Sequence, residues 1–107
     1  MIYVISASET RFVKIGIAAN PVSRLRHFQT GIPMTLVLLA TADWPHSFER
    51  RFHRALRQHH VRGEWFEMCP KINRLIEHMQ SGTLTADDWL ASLSPPSRLR
   101  AALAAVK

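Results

Sequence analysis

The chain has 107 residues, room for one domain with one modest core and not for two. A hydrophobic fraction of 47% beside 21% charged residues excludes a disordered chain, and the longest apolar run, residues 34–40 broken by Thr35, is too short to cross a membrane. A lone cysteine, Cys69, excludes an internal disulfide and a cysteine-rich zinc site; together with the absence of a basic leader before the strand-like start, it points to a cytoplasmic protein without a signal peptide.

The net charge of +6 is unevenly placed. Residues 1–74 hold eleven Lys and Arg against five Asp and Glu, while residues 75–107 hold three against three. A basic excess confined to one region suits a polyanion, because neutralised phosphates release counterions. A basic surface kept for solubility is the competing reading. Membrane-surface binding fits less well, since the basic residues are spread over several elements instead of one amphipathic helix.

Met1 to Ser6 is rich in β-formers, Arg11 to Ile17 is a second such run, and Ala7-Ser8-Glu9-Thr10 is a polar turn between them. The three together predict a hairpin. Gly16 falls at the end of the second strand, where another group can approach the backbone closely. Asn20-Pro21 marks a helix start, with Asn as N-cap and Pro at the first helical position. Val22, Leu25 and Phe28 give that helix its apolar stripe, and Gly31 followed by Pro33 stops it. Met34 to Thr41 is nearly all apolar and reads as a strand buried on both faces. A second helix is expected over roughly residues 46–60, with Phe48, Phe52, Ala55 and Leu56 on its core side and Glu49, Arg50, Arg51, His53, Arg54 and Arg57 elsewhere. Gly63-Glu64-Trp65-Phe66 is a short strand or tight turn. Pro70 opens a third helix carrying Ile72, Leu75, Ile76 and Met79, and Gly82 ends it.

The order β-β-α-β-α-(β)-α predicts an α/β (α+β) domain over residues 1–82, a small mixed three-stranded sheet flanked by helices. Residues 83–107, with three basic residues against two acidic ones, are expected to form a helical extension that packs on the domain or makes a partner contact: Thr85-Ala86-Asp87-Asp88 resembles a capping box, Ser94-Pro95-Pro96 breaks the chain, and an Ala- and Leu-rich helix follows. Trp44 and Trp89 are read as packing residues, with base stacking open to Trp44 if it is exposed.

Three side chains fit one site. A hairpin brings Tyr3 and Lys14 near each other, and the helix that follows presents Arg24 to the same place. A phenol, an amine and a guanidinium that converge suit a phosphate ester. Arg24 can grip a phosphate through two parallel hydrogen bonds.

These segments resemble a known family. Ile2-Tyr3-Val4, Lys14-Ile15-Gly16, Arg24, Glu49 within Phe48-Glu49-Arg50-Arg51-Phe52-His53, and Gly63-Glu64-Trp65-Phe66 stand in the order and at the spacing of the GIY-YIG nuclease superfamily, in its T5orf172 or meiotically up-regulated 113-like branch. The resemblance covers about residues 1–70. It implies hydrolysis of a nucleic-acid phosphodiester, DNA foremost, with a single divalent cation, Mg²⁺ or Mn²⁺. Tyr3 with Lys14 is then expected to activate the attacking water. Glu49 is expected to hold the metal, which a single carboxylate can do when water and phosphate oxygens complete the shell. His53, one helical turn from Glu49, is expected to position water or protonate the leaving oxygen, and Arg24 to steady the phosphate. Lys14, Arg24, His27, Arg50 and Arg54 make up the expected nucleic-acid contacts. The bland readings are a Tyr3 that only packs, a solvated Arg24, and a Glu49 paired with His53, Arg50, Arg51 or Arg54. Lys14 departs from the tyrosine usual in the superfamily, which leaves open a DNA-binding module with a degenerate site. An interaction protein working through the C-terminal helix is a third reading. The asparagine that often follows the second helix in the superfamily has no counterpart here, and Glu64 is a candidate to support the site residues from behind; Trp65 and Phe66 close the core, and His59-His60 lacks a partner at zinc-ligand spacing.

Overall fold

A computed structural model describes residues 1–82 and 86–93. The elements run β1 (Ile2–Ala7), β2 (Phe12–Ile17), α1 (Pro21–Gln29), β3 (Leu36–Ala42), α2 (Ser47–Ala55), a 3₁₀ turn (Arg57–His59), β4 (His60–Arg62), β5 (Trp65–Glu67), α3 (Pro70–Ser81) and α4 (Ala86–Leu93). The strands make one sheet in the order β3-β1-β2-β5-β4. Every pairing among them is antiparallel. The fold is therefore α+β with a five-stranded antiparallel sheet, and the expected mixed three-stranded sheet is corrected on both counts. Strand β5 falls where the sequence offers a short strand or a tight turn, whereas β4 was not expected; each has three residues, and all of β4 is exposed, so no inside-outside alternation marks it.

The predicted hairpin forms. Ala7 O accepts from both Thr10 N and Thr10 Oγ1, at 3.1 and 2.6 Å, and Glu9 takes a positive φ of 65° to complete the turn. Its register sets Tyr3 opposite Gly16 and Ile5 opposite Lys14, while Val4 faces Ile15. Directly opposed residues in an antiparallel pair share a face. Tyr3, Ile5, Lys14 and Gly16 thus project to one side of the sheet, and Ile2, Val4, Val13 and Ile15 to the other.

Each side is covered differently. The Val4–Ile15 side packs against α2, α3 and α4 through Phe52, Leu56, Ile72, Leu75, Ile76, Met79 and Trp89. The Tyr3 side holds a smaller cluster of Tyr3, Ile5, Ala7, Ala18 and Leu36, covered by Leu25 and Phe28 of α1. Asn20 caps α1 as expected, its side chain accepting from Ser23 N at 3.1 Å. Gln29 fastens the other end of α1 to the start of β3, donating to Met34 O at 2.8 Å and accepting from Leu36 N at 2.7 Å. Helix α3 starts at Pro70 and stops at a left-handed Gly82, as the sequence indicates.

Three further expectations change. Val22 is 48% exposed, so α1 covers the sheet with Leu25 and Phe28 only. Strand β3 lies at the sheet edge and exposes Val37, although its other residues pack both ways; burial on both faces holds only in part. The second helix ends at Ala55 instead of near residue 60, because the chain turns through Leu56 (φ −105°, ψ 9°) to enter β4. Trp44 is half-buried and meets Phe52 edge-on, with ring centroids 5.9 Å apart. Trp89 of α4 is fully buried, stands edge-on to Phe52 at 4.9 Å, and donates its ring N–H to Lys71 O at 3.0 Å. The first residues of the extension therefore pack on the main core. The Thr85 cap, the Ser94-Pro95-Pro96 break and the final helix lie outside the described residues. Among the described residues no helix is long and apolar enough to cross a membrane.

Candidate functional site

Gly16 is the structural centre of the site. A β-carbon there would stand 2.5 Å from Tyr3 Oη and would also collide with the Glu64 carboxylate. The missing side chain is what lets these two groups meet over the strand, a close approach that only glycine permits. The tip of the β4–β5 hairpin supplies Glu64. Gly63 turns the chain there with φ 55°, and Glu64 O accepts from Ile15 N at 3.0 Å, which pins the hairpin tip to β2.

Tyr3 is 1% exposed and donates its hydroxyl hydrogen to the Glu64 carboxylate. Burial pushes its pKa well above the ordinary phenol value; the Glu64 charge, and then Glu49, add to the rise, and Arg24 opposes it. The phenol is accordingly a neutral hydrogen-bonding group at physiological pH. Lys14 Nζ lies 3.6 Å from Glu64 Oε2, with only 14% of its side chain exposed. It also sits 4.6 Å above the Phe28 ring centroid and 5.6 Å from that of Trp65. Arg24 Cζ is 5.9 Å from the same Phe28 ring. Phe28 therefore forms a shared aromatic floor under both cations, a role hidden in the sequence by its place in the apolar stripe of α1.

Glu49 and His53 come together on α2, Glu49 Oε1 to His53 Nε2 being 3.4 Å, each side chain about one-quarter exposed. His53 Nε2 is also 3.0 Å from Ile15 O. Both neighbours only accept, so Nε2 carries the hydrogen and ties α2 to β2. The His53 ring stands edge-on to Phe66 at 4.9 Å. Beside Glu49 an open pocket of about 410 Å³ is lined by His46, Ser47 and Arg50. Arg50 and Arg54 are exposed on α2, and His27 is exposed on α1, tilted against Phe28 at 6.2 Å.

The structure thus gathers Tyr3, Lys14, Arg24 and Glu49 into one electrostatic neighbourhood and adds Glu64 to them. His53 supports Glu49 from behind. Among the described residues no group of three or more His, Cys, Asp or Glu could jointly hold a metal ion. A transition-metal cage is not what this donor set resembles. One partly exposed carboxylate opening on a pocket does fit Mg²⁺, which keeps several waters and takes phosphate oxygens as ligands.

Comparison with known proteins identifies the domain. The model of the T5orf172 domain matches residues 1–80. No curated protein and no solved structure matches the chain.

Proposed function

We propose, from the premise that the chain belongs to the T5orf172 family of GIY-YIG-like, nuclease-related domains, that it is a metal-dependent endonuclease acting on the phosphodiester bonds of DNA. The observation that carries this reading is the meeting of the Tyr3 hydroxyl and the Glu64 carboxylate over Gly16, with the charges of Arg24 and Glu49 close enough to act on the phenol.

In this mechanism Arg24, exposed at the site rim, binds the scissile phosphate through paired N–H donors and offsets the charge that grows on it. Tyr3 donates to Glu64, which leaves the phenol oxygen free to accept from the attacking water and orient it. Lys14 adds positive charge at close range. Glu49 would hold the divalent cation, Mg²⁺ or Mn²⁺, which when bound would supply charge neutralisation and water activation. His53 keeps the Glu49 carboxylate oriented through its Nε2–H. Arg50, Arg54 and His27 contact flanking phosphates, and their contribution falls with rising salt.

Supercoiled plasmid with Mg²⁺ or Mn²⁺ tests the reading. Wild-type protein nicks it, and Glu49→Ala lowers the rate at least about 100-fold, the size of a lost transition-state contact. Nicking that persists in Glu49→Ala overturns the assignment. One feature favours a second reading, a DNA-binding module without turnover: Lys14 is already paired with Glu64, and the phenol is held neutral. Salt-dependent DNA binding without cleavage under either metal selects that module.

A further inference from the structure

We infer that Glu64 is the positioning residue of this site, holding the Tyr3 hydroxyl and the Lys14 ammonium together over Gly16 and standing in for a substrate phosphate until one arrives. The inference rests on the nuclease reading for its effect on turnover, but its structural part stands without it.

Three observations lead here. Gly16 lacks a side chain where the Glu64 carboxylate and Tyr3 Oη meet, so the sequence leaves room for this contact. The Ile15 N to Glu64 O bond at 3.0 Å and the left-handed Gly63 fix the backbone from which Glu64 reaches inward. The carboxylate is an anion 3.6 Å from Lys14, in a setting that otherwise suits phosphate. It is more sheltered than the exposed Glu67–Arg11 pair on the neighbouring strand, whose carboxylate side chain is 50% accessible against 39% for Glu64.

An anion so placed has two opposed effects. It orients the phenol, since a carboxylate accepts from the hydroxyl in a defined direction and keeps the phenol oxygen turned to the water. It also repels an incoming phosphate and occupies the cation that would receive it. Glu64 therefore favours turnover at the expense of ground-state affinity. That split is unlike the signature of a residue needed only for folding, whose loss lowers both.

The test is Glu64→Gln, which keeps size and one acceptor oxygen while removing the charge. Tyr3 is the only tyrosine in the chain, so ultraviolet difference absorbance reports its ionisation alone. In metal-free protein the wild-type phenol resists ionisation well past the ordinary value of about 10, and in Glu64→Gln it ionises at lower pH. The control Glu67→Gln leaves the phenol unchanged. On plasmid, Glu64→Gln turns over about 10- to 100-fold more slowly, the usual cost of an orienting partner, while its affinity for a short duplex rises. Identical phenol ionisation in wild type and Glu64→Gln overturns the inference, and so does a parallel fall of turnover and affinity. If no variant cuts DNA, the nuclease reading fails, and the phenol measurement alone then decides the role of Glu64.

Discussion

The two faces of the sheet are built to different ends. On the Val4–Ile15 side, fifteen buried apolar residues drawn from β1, β2, β3, β5 and three helices pack into a continuous core. On the Tyr3 side the buried cluster has five members, one of them a tyrosine, and α1 leaves Lys14 and Arg24 standing on the Phe28 ring. The contrast teaches that β1 and β2 serve both roles by alternation: odd positions of β1 face the chemistry and even positions face the large core. Helix α2 bridges the two, since Phe52 enters the large core while His53 reaches β2 and carries Glu49 beside it.

If the division is real, changes on one face should move stability and changes on the other should move activity. The largest effect is expected from Phe52→Ala. Phe52 is fully buried between Trp44, Phe48 and Trp89, and its removal leaves a cavity that costs about 3–5 kcal/mol. Urea unfolding measures it; a loss below about 1 kcal/mol, the range of near-surface sites, would break the comparison. Arg24→Ala should act in the opposite sense. Its side chain is exposed and makes no ion pair among the described residues, so the urea midpoint stays near the wild-type value. Plasmid nicking falls about 100-fold, comparable to deletion of one oxyanion donor. A matching fall in stability would assign Arg24 to the scaffold.

How much of this was legible beforehand varies with the physics of each element. The hairpin, the Asn20–Pro21 helix start, the α3 core residues and the Gly82 stop are local in origin, set by turn chemistry, caps and a 3.6-residue period, and the structure has them all. The β4–β5 hairpin is not local in that sense. His60, Val61 and Arg62 are all exposed, and they become a strand because β5 offers an edge, a tertiary cause that periodicity does not carry. Tyr3, Lys14 and Arg24 were legible as a group because the hairpin and the helix after it were, and the family resemblance added Glu49 to them. Glu64 was visible as a candidate but its place was not, since that depends on a hairpin tip crossing to β2 and on the absence of a Cβ at Gly16. The glycine was a visible signal; what would fill the space over it was not.

The smallest expected effect links the site face to stability through a single proton. Burial and the Glu64 charge raise the Tyr3 pKa in the folded protein, whereas the unfolded chain has the ordinary value of about 10. Below that pH both states hold the proton and stability is flat with respect to this group. Above it the unfolded state releases the proton while the folded state retains it, so the unfolded state binds fewer protons and stability declines as pH rises. The decline approaches about 1.4 kcal/mol per pH unit, the full worth of one proton, until the folded phenol itself ionises. Other groups also titrate at high pH, so the informative quantity is the difference between wild type and Tyr3→Phe. Tyr3→Phe is less stable near neutrality, because the Glu64 carboxylate loses its donor, and less sensitive to alkali. The two urea-stability curves should therefore approach each other above about pH 10. Parallel curves would mean that the phenol is as solvated when folded as when unfolded, and Tyr3 would then belong to neither face.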